Sequence, residues 1–275
     1  MASSSTTSMA PSTKSLLAEW ILQEDRNPIE SAVFAAVDHA EKSVGVPFDL
    51  TKKVVDYLQR YDCFGESEWN SLCGSVPPEP PLPLGFARIW QSPCPAFLGK
   101  KICETHVLVY IPTTVDGKPL TLKSLGQIAK RYFPKTAAGY RDVWPDIVDE
   151  LGDRPIERSG WVLMTKYILP ESRSKSYADR NAMVAALAEK AFAPYEVPKA
   201  LEAIVCILAQ YFSSYASSKI RLFSDAPLTY IHCQENVRAC QISVGGFAPV
   251  GLSAKYCPDY GHGDIGVAAL RWFEG

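Results

Sequence analysis

The sequence lacks the features that mark several large functional classes. Its 275 residues carry 28 basic and 30 acidic side chains, so the net charge is −2 and no overall positive field would attract nucleic acid or an anionic membrane. The longest apolar runs, such as Ala203–Ala209, fall far short of the roughly 20 residues that cross a bilayer. We therefore expect neither nucleic acid nor a membrane as a partner.

Motifs that fix a reaction are also missing. The chain has no Gly-x-x-x-x-Gly-Lys loop, no Gly-x-Ser-x-Gly elbow, no His-Glu-x-x-His helix, and no Gly-x-Gly-x-x-Gly between a predicted strand and a predicted helix. These absences argue against nucleotide hydrolysis, serine esterase activity, zinc protease activity and dinucleotide redox chemistry.

Cysteine usage indicates a reducing compartment. No two cysteines form a Cys-x-x-Cys pair, and residues Met1–Thr13 lack the basic start and apolar block of a Sec signal. We therefore expect reduced thiols and a cytoplasmic location. The eight cysteines are Cys63, Cys73, Cys94, Cys103, Cys206, Cys233, Cys240 and Cys257.

The first residues carry no charged side chain before Lys14. Residues 1–14 are predicted to be a disordered tail on the basis of their Ser, Thr, Ala and Pro content. The same composition also fits a Ser/Thr-rich signal for contact-dependent bacterial secretion. In that case the protein would act after secretion into a host cell.

Helical spacing predicts a small N-terminal helical module over residues 15–75. Within it, Asn27 and Pro28 can open one helix and Asp49 can cap another. The proline-rich segment 76–85 follows and predicts a semi-rigid linker, because prolines remove backbone donors and favour polyproline II. A Pro-x-x-Pro ligand for an SH3-type domain is the alternative interpretation of this segment.

Residues 86–275 predict an α+β domain. The clearest patterns are strands over Thr105–Ile111 and Gly160–Tyr167, helices over Leu122–Tyr132, Arg141–Leu151 and Lys199–Tyr215, and a further helix capped by Ser176. Three short strand-like segments then occupy Thr229–Phe273. Long helices followed by a terminal run of strands favour an α+β class over a repeating βαβ fold.

Eight short segments have distinctive residue combinations: Glu104–His106, Gly117–Gly126, Trp161–Thr165, Ser172–Ser176, Glu196–Pro198, Cys233–Glu235, Val244–Pro249 and Ile265–Leu270. Together they resemble a family of proteins from chlamydia-like intracellular bacteria, over about residues 69–273. The resemblance supplies no activity and no catalytic residues. Some members carry an F-box-like N-terminal segment, which implies recruitment to a host ubiquitin ligase. Here Phe48–Leu58 lacks the Leu-Pro opening of that segment.

The closing segment is similar in layout to the end of C-type-lectin-like folds, including the sulfatase-modifying-factor domains. The matching positions are Thr229–Glu235, Gln241–Phe247, Gly251 and Gly266–Arg271. This resemblance implies a short antiparallel, C-type-lectin-like sheet at the end of the chain. Formylglycine-generating members need a reactive cysteine pair and a metal, and we assign no such pair, so that activity is not carried over.

The loop after the second terminal strand is rich in metal-ligand chemistry. Cys257 and His262 offer a thiolate and an imidazole to zinc, while Asp259 and Asp264 offer oxygens to calcium. Neither set is complete by itself. We therefore expect no cofactor, with zinc or calcium as alternatives.

The pattern as a whole favours a non-enzymatic protein-interaction protein, with secretion as an effector as one form of that role. We expect a protein partner on two exposed loops, Cys233–Cys240 and Gly251–Asp264, because loops on a rigid sheet suit binding. The predicted binding residues are Glu235, Asp259, Tyr260, His262 and Asp264.

A cysteine-dependent enzyme is the alternative function. In it Cys233 or Cys257 would act as the nucleophile and a histidine such as His262 as the base. Asp264 or Glu235 would orient the base. His106 and His232 are instead expected to be partly buried strand residues with satisfied hydrogen bonds.

Overall fold

A computed structural model describes residues 63–83, 86–257 and 262–273. The predicted tail and most of the helical module, residues 1–62, lie outside the described residues. The loop residues 258–261, which include Asp259 and Tyr260, lie outside them as well.

Helices and strands are both abundant in the described ranges, and the α+β class is confirmed. The helices are α1 (Glu66–Leu72), α2 (Phe86–Gln91), α3 (Ile102–Thr105), α4 (Leu122–Ala129), α5 (Pro145–Leu151), α6 (Tyr177–Ala191) and α7 (Ala200–Ser213). The strands are β1 (Cys63–Phe64), β2 (His106–Ile111), β3 (Thr114–Val115), β4 (Lys118–Pro119), β5 (Asp142–Val143), β6 (Gly160–Thr165), β7 (Tyr195–Glu196), β8 (Tyr230–Val237), β9 (Cys240–Ala248), β10 (Gly251–Cys257), β11 (Ile265–Gly266) and β12 (Leu270–Trp272).

The first sheet has the strand order β1-β2-β6-β12-β7. Strands β2 and β6 pair antiparallel, with His106 opposite Thr165, and every residue of both strands is buried. The predicted burial of the β6 segment on both faces is therefore confirmed. The C-terminal strand β12 lies between β6 and the two-residue edge strand β7, so the end of the chain is tied into this sheet.

The second sheet has the order β11-β8-β9-β10-β5, with β8, β9 and β10 paired antiparallel. The first two predicted strands near the C terminus are confirmed as β8 and β9, whereas the third segment forms two short strands, β11 and β12, in different sheets. The two predicted exposed loops are wrong in part. Residues Cys233–Val237 continue strand β8, and Gly251–Cys257 form strand β10 inside the sheet. Only the two residues Arg238 and Ala239 turn the chain between β8 and β9.

Helix α7 contacts strands of both sheets, β1 and β2 on one side and β8 and β9 on the other. Nearly all its residues from Ala200 to Phe212 are buried, which suits a helix that is hydrophobic all round. The helix begins after Pro198, where the backbone N–H of Lys199 donates to the Glu202 carboxylate over 2.9 Å. Its N-terminal turn therefore lies beside a buried carboxylate.

Residues 63–83 pack onto the first sheet. Strand β1 pairs with β2, and the Trp161 indole donates a hydrogen bond to the carbonyl oxygen of Pro80 over 2.8 Å. The Tyr110 hydroxyl lies 3.1 Å from the carbonyl oxygen of Pro77. No separation of two bodies at the predicted linker is visible over its described part, 76–83. Because residues 15–62 are not described, the division of the chain into domains stays a prediction.

Local sequence signals explain several element boundaries. The Ser176 hydroxyl accepts the backbone N–H of Asp179, so the predicted cap of α6 is confirmed. The helix predicted over Arg141–Leu151 begins later, at Pro145, because Asp142 and Val143 pair with β10 as strand β5. Asp116 and Gly117 form the turn between β3 and β4, both with positive φ.

Candidate functional site

A pocket of about 400 Å³ lies at the N-terminal turn of α7, beside β8 and Trp272. This volume falls in the range of small-molecule sites, about 300–1,000 Å³. Residues of α4, α5, α7 and β10 and the segment before β6 give it an apolar lining. That lining includes Leu122, Ile147, Leu151, Ile156, Leu201, Ile204 and Ala254.

Glu202 brings a carboxylate into the pocket lining from the first turn of α7. Its side chain is 5% exposed. One carboxylate oxygen accepts the backbone N–H of Lys199, and the other accepts the indole N–H of Trp272 over 3.2 Å. Burial raises the pKa of Glu202 above its ordinary value, because a charged carboxylate is poorly solvated there.

Glu235 adds a second carboxylate from strand β8. Its Oε2 accepts the backbone N–H of Ala200 over 2.8 Å, so it too lies at the start of α7. Burial raises the pKa of Glu235, and the charges of Lys199 and Arg154 oppose that rise. Two carboxylates from different elements therefore meet at one helix N-terminus, where the helix dipole favours negative charge.

The rim of the pocket is charged and exposed. Lys199 pairs with Glu157 over 3.0 Å, and this hydrogen bond lowers the pKa of Glu157. The Arg158 guanidinium lies 4.5 Å from the centre of the Trp272 ring. Arg154 is the third basic side chain of the rim. Glu157 and Glu196 also line the pocket, so it combines an apolar body, two inner acceptors and an entrance that carries charges of both signs.

Of the predicted binding residues, Glu235 is the one that lies in this pocket. The prediction placed it on an exposed loop, whereas it is a partly buried strand residue bonded to α7. His262 is exposed, and its backbone oxygen accepts N–H groups of Ser174 and Ile265. Asp264 is partly buried, and its backbone oxygen accepts the N–H of Tyr230 over 2.8 Å. Asp259 and Tyr260 lie outside the described residues.

Cys233 does not have the environment of a nucleophile. Its side chain is 0% exposed, and burial raises the pKa of its thiol well above the ordinary value. A reactive cysteine needs a depressed pKa and access to solvent. His262, the predicted base, is exposed, so the two side chains lie in opposite environments. The structure thus gives the cysteine-dependent alternative no support at Cys233.

The two strand histidines are hydrogen-bonded, as predicted, and are more deeply buried than expected. His106 is 1% exposed, its Nδ1 lies 2.9 Å from the Thr105 hydroxyl, and its Nε2 lies 3.4 Å from the Tyr195 hydroxyl. Burial lowers the pKa of His106 to about 3, so it is neutral. His232 is also 1% exposed, and its Nδ1 lies 2.8 Å from a guanidinium nitrogen of Arg180.

Within the described ranges, no three His, Cys, Asp or Glu side chains are grouped to hold a metal ion. The loop that carries the predicted zinc and calcium ligands is only partly described, so both sites stay predictions. Residues 261–266 also match the pattern Gly-x-Gly-x-x-Gly, which occurs in dinucleotide-binding proteins. From residue 262 this stretch leads into strand β11 and not into a helix, so the helix N-terminus of a dinucleotide fingerprint is missing there.

Sequence reasoning missed Glu202. A glutamate in the first turn of a helix is common, and nothing in the linear sequence shows that this one faces an apolar pocket. The signal that was present is the near-absence of polar residues elsewhere in α7, which makes a buried Glu202 the exception in a hydrophobic helix.

Comparison of the chain with protein-family models, curated proteins and solved structures gives no match. The resemblances to the chlamydia-like family and to C-type-lectin-like folds therefore stay predictions. Among the described helices, none combines the length and the apolar character that crossing a membrane requires.

Proposed function

We propose that this chain is a binding protein whose pocket at the start of α7 takes a small ligand with an apolar body and a hydrogen-bond-donating head. The observation that carries the proposal is the placement of Glu202 and Glu235 in one apolar pocket. Burying a carboxylate costs free energy unless the group is paired or hydrogen-bonded. Titratable groups with perturbed pKa values are concentrated at functional sites.

A primary amine is the head group that fits best. An ammonium group donates charge-assisted hydrogen bonds to carboxylates, and these are about twice as strong as neutral ones. The apolar lining from Leu122 to Ala254 suits an aromatic or aliphatic body. Binding is favoured over catalysis because both oxygens of Glu202 already accept hydrogen bonds from the chain, which holds the carboxylate as a fixed acceptor.

The raised pKa values of Glu202 and Glu235 set the sign of the pH dependence. Because the folded-state pKa exceeds the unfolded-state pKa, these carboxyl groups favour the folded state at low pH. That contribution is lost as the pH rises through the folded pKa. An ammonium ligand instead needs the ionised carboxylate. Its affinity therefore falls as the pH falls through the raised pKa.

Filling the pocket is expected to abolish amine binding. Ile156 lines the pocket and is partly exposed, so Ile156→Trp places an indole in the ligand's space. We expect phenethylamine to bind the wild type more tightly than phenethyl alcohol, and Ile156→Trp to weaken amine binding by more than about tenfold. Saturation-transfer NMR measures both affinities.

Two further variants control this experiment. Leu228→Trp adds the same side chain at an exposed loop position and is expected to bind the amine like the wild type. Glu235→Gln keeps an acceptor for the N–H of Ala200 but removes the charge, and is expected to weaken amine binding about tenfold. Equal binding of amine and alcohol, or unchanged binding in Ile156→Trp, would contradict the proposal.

A protein partner is the second candidate function, and one residue favours it. Phe192 ends α6 in the left-handed conformation (φ 48°, ψ 42°) and is 98% exposed. Glycine is the usual residue at such a position, because a side chain there is strained. Phe192 therefore has an unfavourable backbone conformation and an apolar ring exposed to water. Exposed apolar side chains that lie together are typical of a contact surface.

Two other exposed apolar side chains belong to the loop that α6 contacts and to a residue packed against that loop. Lys190 near the end of α6 donates to the carbonyl oxygen of Pro95, which joins the helix to the loop that carries Leu98. Leu98 is 92% exposed, and Tyr167, which packs against Phe97, is 48% exposed. We call Leu98, Tyr167 and Phe192 the apolar surface and infer that it is where a protein partner binds.

Replacing Phe192 by glycine separates stability from partner binding. We expect Phe192→Gly to raise the free energy of unfolding by about 0.5–1 kcal/mol, because the strained backbone is relieved. The measurement pairs urea unfolding with photo-crosslinking from position 98 in host-cell lysate. A crosslinked protein should appear with Phe192 and disappear with Phe192→Gly.

A photo-crosslinker at Val250, which is 55% exposed, serves as the matched control and should capture nothing specific. Identical crosslinked species from positions 98 and 250 would remove the support for the apolar surface as a partner site.

A further inference from the structure

A second concave region, which we call the groove, lies along the edge of the first sheet and shares Arg158, Glu196 and Trp272 with the pocket. Its volume is about 780 Å³. Pro83, Ile89 and Pro194 supply apolar walls, and Arg158 and Arg271 supply positive charge.

Both guanidinium groups lie over aromatic rings. The Arg158 Cζ lies 4.5 Å from the centre of the Trp272 ring, and the Arg271 Cζ lies 4.7 Å from the centre of the Phe273 ring. Stacking of this kind covers the faces of a guanidinium and leaves its N–H edges available. Those edges match the geometry of carboxylate and phosphate oxygens.

The charge of Arg271 is uncompensated in the described part of the chain. Its Nε is buried and has no hydrogen-bond partner, and neither Arg271 nor Arg158 forms an ion pair with a described carboxylate. Burial lowers the pKa of Arg271, which reflects the cost of holding that charge away from water. Glu196 also lines the groove, and its carboxylate accepts a hydrogen bond from the neutral Gln234 amide, so the groove is lined by two guanidinium groups and one carboxylate.

We propose that the groove is an anion-binding site in which Arg158 and Arg271 hold the carboxylate or phosphate group of a ligand whose apolar body lies on Pro83, Ile89 and Pro194. The buried Nε cannot contact a ligand directly, but Arg271 is partly exposed, so the remaining N–H groups of its guanidinium would donate to an anion oxygen in the groove. The site does not rest on the amine proposal, because Arg271 does not line the pocket.

Phenyl phosphate and hydrocinnamate are the probes for the two anion chemistries, and phenethyl alcohol is the neutral comparison. The Nε–Hε resonance of Arg271 in the NMR spectrum is expected to shift saturably with at least one anion and not with the alcohol. Tighter binding of phenyl phosphate assigns the site to a phosphate group, and tighter binding of hydrocinnamate assigns it to a carboxylate.

Arg271→Gln is expected to weaken binding of the preferred anion by more than about tenfold. Arg271→Lys is expected to have an intermediate affinity, because it keeps the charge but lacks the planar guanidinium that can donate two parallel hydrogen bonds. Lys135→Gln removes the same charge at an exposed position outside the groove and should bind like the wild type. If Arg271→Gln fails to fold, Arg158→Gln at the exposed edge of the groove gives the same test.

Ile156→Trp fills the pocket without lining the groove, so it should leave anion binding unchanged. The proposal is overturned if neither anion binds saturably, or if Arg271→Gln and Lys135→Gln bind the anion equally well.

Discussion

Replacing Arg180 by methionine is expected to lower the free energy of unfolding by about 3–5 kcal/mol, because it breaks a buried charged network. Arg180 is 0% exposed. Its guanidinium donates to the carbonyl oxygen of Ser172 over 3.0 Å and to that of Ile265 over 2.7 Å, and it contacts Nδ1 of His232 over 2.8 Å.

These contacts join α6, the segment before it, β8 and β11. Methionine fills much of the space but donates no hydrogen bond, so several buried acceptors would be left unsatisfied, at about 1–3 kcal/mol each. Because Arg180 can only donate, His232 accepts through Nδ1 and is the neutral form.

Urea unfolding followed by tryptophan fluorescence measures the effect. Arg238→Met is the matched control, because Arg238 is exposed and its pair with Asp146 lies at the surface. Such surface pairs contribute about 0–1 kcal/mol. A loss below about 1 kcal/mol for Arg180→Met would mean that the network does not hold these elements together.

Trp69→Ala is expected to cost a similar amount, about 3–5 kcal/mol, because it removes a large side chain from the core. Trp69 is 1% exposed, and its indole donates to the carbonyl oxygen of Tyr110 in β2 over 2.7 Å. It also packs edge-on against Phe64, with ring centres 5.3 Å apart.

The same variant tests whether residues before the proline-rich segment belong to the core of the α+β domain. Tyr167→Ala, at a surface position 48% exposed, is the control and should cost under about 1 kcal/mol. A small loss for Trp69→Ala would indicate that residues 63–75 belong to a separate N-terminal module, as the sequence alone predicted for residues 15–75.

Local patterns predicted the elements that local chemistry determines. The β-branched run His106–Ile111 became a strand, and Ser176 with Asp179 capped α6, because hydrogen bonds and side-chain periodicity within a few residues decide these features. The terminal strands were predictable for the same reason.

The turn between β8 and β9 was not predictable, and this error placed the predicted binding residue Glu235 on a loop instead of a strand. Arg238 and Ala239 both adopt positive φ, of 51° and 61°, where Asn-Gly or a similar pair is usual. The polar residues before that turn therefore looked like a loop. The register shift between His232 and Asn236 accommodates this stretch within the strand, and Glu235 is directed to the start of α7.

The packing of the proline-rich segment was not predictable for a different reason. Prolines do hold residues 76–83 away from helix and sheet geometry, as predicted. Their free carbonyl oxygens, however, accept hydrogen bonds from Tyr110 and Trp161, which lie far along the chain. Contacts of this range depend on the tertiary arrangement and leave no mark on the local sequence.

Whether the pocket at the start of α7 holds a ligand is decided most directly by a crystal structure of the protein with phenethylamine. We predict that the amine nitrogen lies within hydrogen-bond distance, about 2.7–3.2 Å, of a carboxylate oxygen of Glu202 or Glu235, with the phenyl ring on the apolar lining. An amine bound elsewhere on the molecule, with the pocket holding only water, would contradict this.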